Sequence, residues 1–144
     1  MLITAGHSAE LVRLGPALTA YIIDPRTNQY VIDPKANLTV EYSAIFDTAA
    51  PINSMEETLV TDLRLPMVRP GDQLETTDGP KKRNVHTARI SIPILNIDRE
   101  STEFYPLNLD NIFHGGHQII LGRRFLQRFK LVYDGRTGSV TIEF

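Results

Sequence analysis

The chain of 144 residues has no cysteine, which excludes disulfide staples, a thiol nucleophile and the usual structural zinc frameworks. Its absence fits a reducing cytoplasm, and a cytoplasmic location is expected. No apolar run approaches the about 20 residues that a membrane-spanning helix needs. The first residues, Met1 to His7, lack a basic segment followed by an apolar one. A soluble, unexported chain without a membrane partner is expected. A formal net charge of -2 offers no global attraction to nucleic acid. Gly-x-Ser-x-Gly, the phosphate-cradling Gly-x-x-x-x-Gly-Lys and the dinucleotide fingerprint are all missing, so serine hydrolase, nucleotide-binding and NAD-type chemistries find no support.

What remains is an ordinary globular composition, 42% hydrophobic and 22% charged, in a chain long enough to bury a core as one domain. Strand signals dominate. Residues 16–23 read as a strand closed by the turn formers Asp24-Pro25-Arg26-Thr27-Asn28, and Tyr30-Val31-Ile32 as a second one stopped at Asp33-Pro34. From Leu38 to Phe46 the pattern alternates, predicting one half-buried strand with Leu38, Val40, Tyr42, Ala44 and Phe46 inward. Ser54-Met55-Glu56-Glu57 fits a capping box opening a short helix over about 55–63. Asp78-Gly79 sits between β-prone runs at 73–77 and 84–94, a hairpin signal.

Downstream, a strand over 103–109 leads to the loop His114-Gly115-Gly116-His117, then to a short strand Ile119-Ile120-Leu121, a bend at Gly122 and a helix over 123–129. A hairpin of 131–133 with 140–144 closes the chain. The sum is a mostly β barrel or sandwich with one or two short helices. The two histidines stand three apart without a third ligand nearby, so no metal is assigned to them. Arg123, Arg124, Arg128 and Lys130 read as helix side chains lying over the core, not as an RNA surface.

Candidate chemistry centres on Ala44-Ile45-Phe46-Asp47-Thr48-Ala49-Ala50, where a buried strand delivers a carboxylate into a sharp turn of small residues. Asp47-Thr48-Ala49-Ala50 resembles the Asp-Thr-Gly-Ala/Ser signature of aspartic proteases. Residues 119–126 resemble the hydrophobic-hydrophobic-Gly-Arg segment near the C-terminus of retropepsin-like proteases. The resemblance covers about residues 38–144. It implies a retropepsin-like acid protease barrel over 38–144, preceded by an N-terminal arm and hairpin extension over 1–37.

The resemblance further implies an aspartic endopeptidase that cleaves a polypeptide substrate without any cofactor. Such chemistry needs two carboxylates sharing one proton, one acting as base on water while the other protonates the carbonyl. With one motif per chain, the second carboxylate comes from another copy, in a homodimer with the site on its twofold axis. On this reading Asp47 is catalytic and Thr48 braces the two loops across the axis. Ala49, Ala50 and a flap formed by Thr76, Thr77, Asp78 and Gly79 contact the peptide, and Gly122 and Arg123 support the dimer-forming loop. Lys81, Lys82 and Arg83 beside the flap tip would favour acidic peptides. Ala49 stands where the family has Gly, and Pro51 where retroviral members often carry an Asp that pairs with the Arg matched by Arg123. These departures motivate an alternative, a catalytically inactive dimer that binds peptides or assembles a complex.

Overall fold

The computed structural model describes residues 2–4, 15–76 and 79–143. Thr77 and Asp78, expected at the flap tip, lie outside the described residues. In chain order, β1 (Leu2–Thr4) is followed by β2 (Ala17–Asp24), which buries Leu18, Ala20 and Ile22 on one face. The Asp24 carbonyl accepts from the amides of Thr27 and Asn28, and Asn28 takes a left-handed φ of 59°, so the chain reverses into β3 (Gln29–Tyr30). Asp24 itself is buried against Arg26, whose guanidinium holds the carboxyl below its ordinary range.

The expected strand from Leu38 to Phe46 is broken. Asn37, at φ 54°, donates its amide to the Asp33 carbonyl, so β4 (Ile32–Asp33) and β5 (Leu38–Thr39) form a separate ribbon. Leu38 is therefore 67% exposed instead of inward. Alternation takes hold only in β6 (Tyr42–Phe46), where Tyr42, Ala44 and Phe46 are buried. Burial pushes the Tyr42 hydroxyl up to about 12.

The capping box is also overturned. Ser54 lies in β7 (Ser54–Glu56), whose three residues are all buried, and α1 (Glu57–Asp62) starts after it. Partners on both sides of β7 explain the difference, because a strand saturated by neighbours outweighs a local cap. Glu56 takes over the capping. Its Oε1 accepts from the Thr58 amide at 3.4 Å and its Oε2 from the Asp110 amide at 2.7 Å, while the residue is 3% exposed.

Next come β8 (Met67–Thr76) and β9 (Gly79–Ile92), a long hairpin closed by the pair Thr76 with Gly79. A single 3-10 turn over Pro93–Leu95 ends β9 two residues before the expected limit. Then β10 (Ile97–Leu107) starts six residues earlier than expected, and α2 (Leu109–Phe113) follows where strand was expected at Leu109. Asn108 explains that helix start, since its Oδ1 accepts from the Asn111 amide. The last elements are β11 (Ile119–Leu121), α3 (Arg123–Leu126), β12 (Lys130–Asp134) and β13 (Ser139–Glu143), with β13 flanked by β1 and β12. The described residues thus hold three short α-helices, one more than the upper expectation.

The main sheet runs β3-β2-β6-β11-β7-β10-β9-β8, and β2 also pairs with β9. That extra pairing closes six strands into a barrel, which removes their free edges. Ile22, Met55, Ile90, Ile92, Phe104, Ile119 and Leu121 fill its interior, and Phe125, Leu126 and Ile142 join the same core. No helix among the described residues is long and apolar enough to cross a membrane.

Because Glu56 satisfies amides at the start of two helices from a buried position, Glu56→Ala should destabilise the fold by about 2–3 kcal/mol. Glu56→Gln, which keeps one carbonyl acceptor, should lose less. Urea unfolding of both variants would reveal the ranking, and equal losses would show that the hydrogen bonds are not what matters.

Candidate active site

Two strands expected far apart in sequence lie side by side. β6 and β11 pair in parallel, with Ala44 opposite Ile119, Ile45 opposite Ile120 and Phe46 opposite Leu121. Asp47 and Gly122 therefore leave the same end of the sheet together. The Asp47 amide donates to the Leu121 carbonyl at 3.1 Å, which locks the end of one strand to the other.

Beyond Phe46 the chain turns tightly. The Ala50 amide donates to the Asp47 carbonyl at 3.2 Å. The carboxylate Oδ1 of Asp47 accepts from the amides of Ala49 at 2.9 Å and Ala50 at 3.3 Å. Small residues permit this approach of two amides to one side-chain oxygen. Ala49 is not among the residues with positive φ, so its Cβ brings no backbone strain where the aspartic protease signature has Gly. Oδ2 of Asp47 accepts from no donor among the described residues. Thr48 and Ala49 are exposed, and Asp47 and Ala50 are half-buried.

The second segment supports this turn from behind. The Gly122 amide donates to Oδ1 of the buried Asn53 at 3.0 Å, and the Arg123 amide donates to the Ala50 carbonyl at 2.8 Å. The Arg124 amide donates to the Pro51 carbonyl at 3.3 Å. Arg123 also reaches over the turn, its Nη1 donating to the carbonyls of Thr48 at 3.0 Å and Ala49 at 3.1 Å. These carbonyls give Arg123 the partners that Pro51 cannot offer through a carboxylate. A guanidinium with several donors suits such a double contact.

Of the residues singled out in the sequence, Asp47, Thr48, Ala49, Ala50, Gly122 and Arg123 come together in one cluster. Thr76 and Gly79 pair at the end of a separate hairpin. His114 and His117 serve local structure. His114, at φ 51°, ends α2, while the buried His117 has its Nδ1 2.8 Å from the Ser43 hydroxyl and its ring edge-on to Phe113. Asn53 is the supporting residue that sequence reasoning missed. No local signal marked it, since Asn53 runs directly into the polar Ser54, and only the strand pairing reveals that this stretch is buried.

No protein-family model matches the chain, and no curated protein matches it. Among solved structures, it is similar to a retropepsin-like aspartic protease from Rickettsia conorii, at a TM-score of 0.55 and 18% identity, over 99% of this chain and 88% of that one. It is also similar to EIAV protease in an inhibitor complex, at a TM-score of 0.50 and 16% identity, over 78% of this chain and 86% of that one. At these identities the likeness speaks to the fold. The fold is retropepsin-like.

Proposed function

We propose that this chain, whose fold is retropepsin-like, is an aspartic endopeptidase that works as a homodimer. The observation that carries the reading is the Asp47 carboxylate, oriented through Oδ1 by two amides of its own turn while Oδ2 is left for chemistry. One such carboxylate per chain calls for a second from a partner copy on a twofold axis. In the dyad, one carboxylate takes a proton from water as its oxygen adds to the scissile carbonyl carbon, and the other gives its proton to the carbonyl oxygen. Collapse of the resulting diol then returns a proton to the leaving nitrogen and breaks the C–N bond.

In this scheme Thr48, exposed in the single chain, hydrogen-bonds across the axis. Thr76, Thr77, Asp78 and Gly79 close over an extended peptide that adds itself as a strand, with Ala49 and Ala50 below it. Gly122 and Arg123 hold the turn in place. No cofactor takes part.

Cleavage of a diverse peptide pool across pH 3 to 8, run beside sedimentation for dimer, tests the reading. Internal cleavage with an optimum below neutral is expected, because the dyad must share a proton. Activity that rises steadily above neutral pH would overturn the dyad, and a dimer that cleaves nothing would favour the peptide-binding alternative. Arg123→Ala should lower kcat/KM about tenfold by loosening the turn that aims Asp47. Arg123→Lys, which has no planar fork, should recover only part of it. Full activity in both variants would show that the guanidinium contacts do not position the carboxylate.

A further inference from the structure

Away from the Asp47 turn, a cleft of about 490 Å³ opens between α1, the strand β9 and the end of β10. Three side chains rich in nitrogen line it: Arg64 just past α1, and Arg83 and His86 on β9. Arg83 is held loosely for a guanidinium only 27% exposed. Its Nη2 is 3.8 Å from the Glu57 carboxylate and its Nη1 donates to the Lys82 carbonyl at a long 3.4 Å. Its Nε is buried and meets no acceptor among the described residues. A buried charged donor without an acceptor is costly, so the guanidinium gains from turning within the cleft toward an anion that its own surroundings do not supply.

His86 narrows the chemistry. Its Nδ1 sits 2.8 Å from the Leu65 carbonyl, which can only accept, so Nδ1 carries a proton and Nε2 remains for a ligand. Glu57 supplies one negative charge against the two arginines, leaving an excess of positive charge at the mouth. Val60, Leu65 and Pro106 add apolar lining.

We propose that this cleft binds a small organic phosphate monoester, its phosphate on Arg83, Arg64 and His86 and its apolar body on that lining. Phosphate suits this set better than a carboxylate, because it carries up to two charges, its oxygens accept from the two guanidiniums, and as a monoanion its P–OH donates to Nε2 of His86, which an ionised carboxylate cannot do. A bound phosphate would also tie the base of the β8–β9 hairpin to α1. The inference stands apart from proteolysis, since none of the cleft's residues belongs to the Asp47 turn or its Gly122-Arg123 support and its readout is binding; Arg83, expected to favour acidic peptides beside the flap tip, faces Glu57 of α1.

The test is an NMR titration of the full chain with phenyl phosphate, inorganic phosphate, benzoate and phenol. Saturable shifts at Arg64, Arg83 and His86 are expected with phenyl phosphate, more weakly with inorganic phosphate, and not with phenol. Arg83→Gln should weaken phenyl phosphate about tenfold, and Arg64→Gln, an exposed position that leaves the fold intact, several-fold. Reduced hydrogen exchange at the base of the hairpin should accompany binding. The proposal is overturned if phenyl phosphate produces no saturable shift, if neither variant weakens it, or if benzoate binds more tightly.

Discussion

Asp47→Asn should reduce peptide cleavage by about a thousandfold or more, since the amide can neither take a proton from water nor return one. Fold and dimer should survive it. Asn keeps the Oδ1 that accepts from the Ala49 and Ala50 amides, so the turn retains its hydrogen bonds. Mixing gives the sharper result. If each site needs a carboxylate from both chains, adding an equal amount of freely exchanging Asp47→Asn chain to wild type should halve activity, and a ninefold excess should leave about a tenth. A site complete within one chain would lose nothing on mixing. Unchanged activity in exchanged mixtures, verified by sedimentation, would therefore refute the shared dyad even if Asp47 proved essential.

Gly122→Ala should destabilise the protein by about 3 kcal/mol or more, lowering Tm by roughly 10 °C. Space, not backbone angle, is the reason. Gly122 has φ -86°, open to any residue, but a Cβ there would stand 2.2 Å from the Ile52 carbonyl oxygen and 2.7 Å from that of Ala50. Both oxygens are backbone and belong to the segment that carries the Asp47 turn. Ala50 is further fixed by accepting from the Arg123 amide. Relief must come from moving the turn away from β11, so any activity should fall along with stability. Calorimetry showing an unshifted Tm would mean that the two segments are less tightly seated than their hydrogen bonds indicate.

The fold class was legible because its signals are short in range. Turn chemistry at Asp24 to Asn28 and at Asp78-Gly79, and alternation within Tyr42 to Phe46, depend on neighbours two to four residues away. Where a distant partner intervenes, the same rules misread the chain. Leu38 carries the right period but belongs to a ribbon outside the barrel, and Ser54 carries the right cap spacing but is claimed by strands on either side. The short helix at Leu109–Phe113 was hidden because Leu109 prolongs an apolar pattern, while the start signal is the single residue Asn108.

The candidate site divides in the same way. Its acid, the small residues after it and the Gly-Arg pair stand in the sequence as written, and so does the prospect that one carboxylate needs a second. The amino-acid order by itself determined the mostly β class and most of the strands, which rest on periodicity and turn chemistry, while the resemblance of two separate segments to a protease signature grouped Gly122 and Arg123 with Asp47. Only the tertiary structure decided that β6 and β11 run in parallel, that β2 closes the barrel on β9, and that Asn53 and Arg123 hold the turn through backbone groups. Those are pairings between residues dozens of positions apart, and a carbonyl accepts them whatever side chain it carries, so no sequence pattern marks the partner.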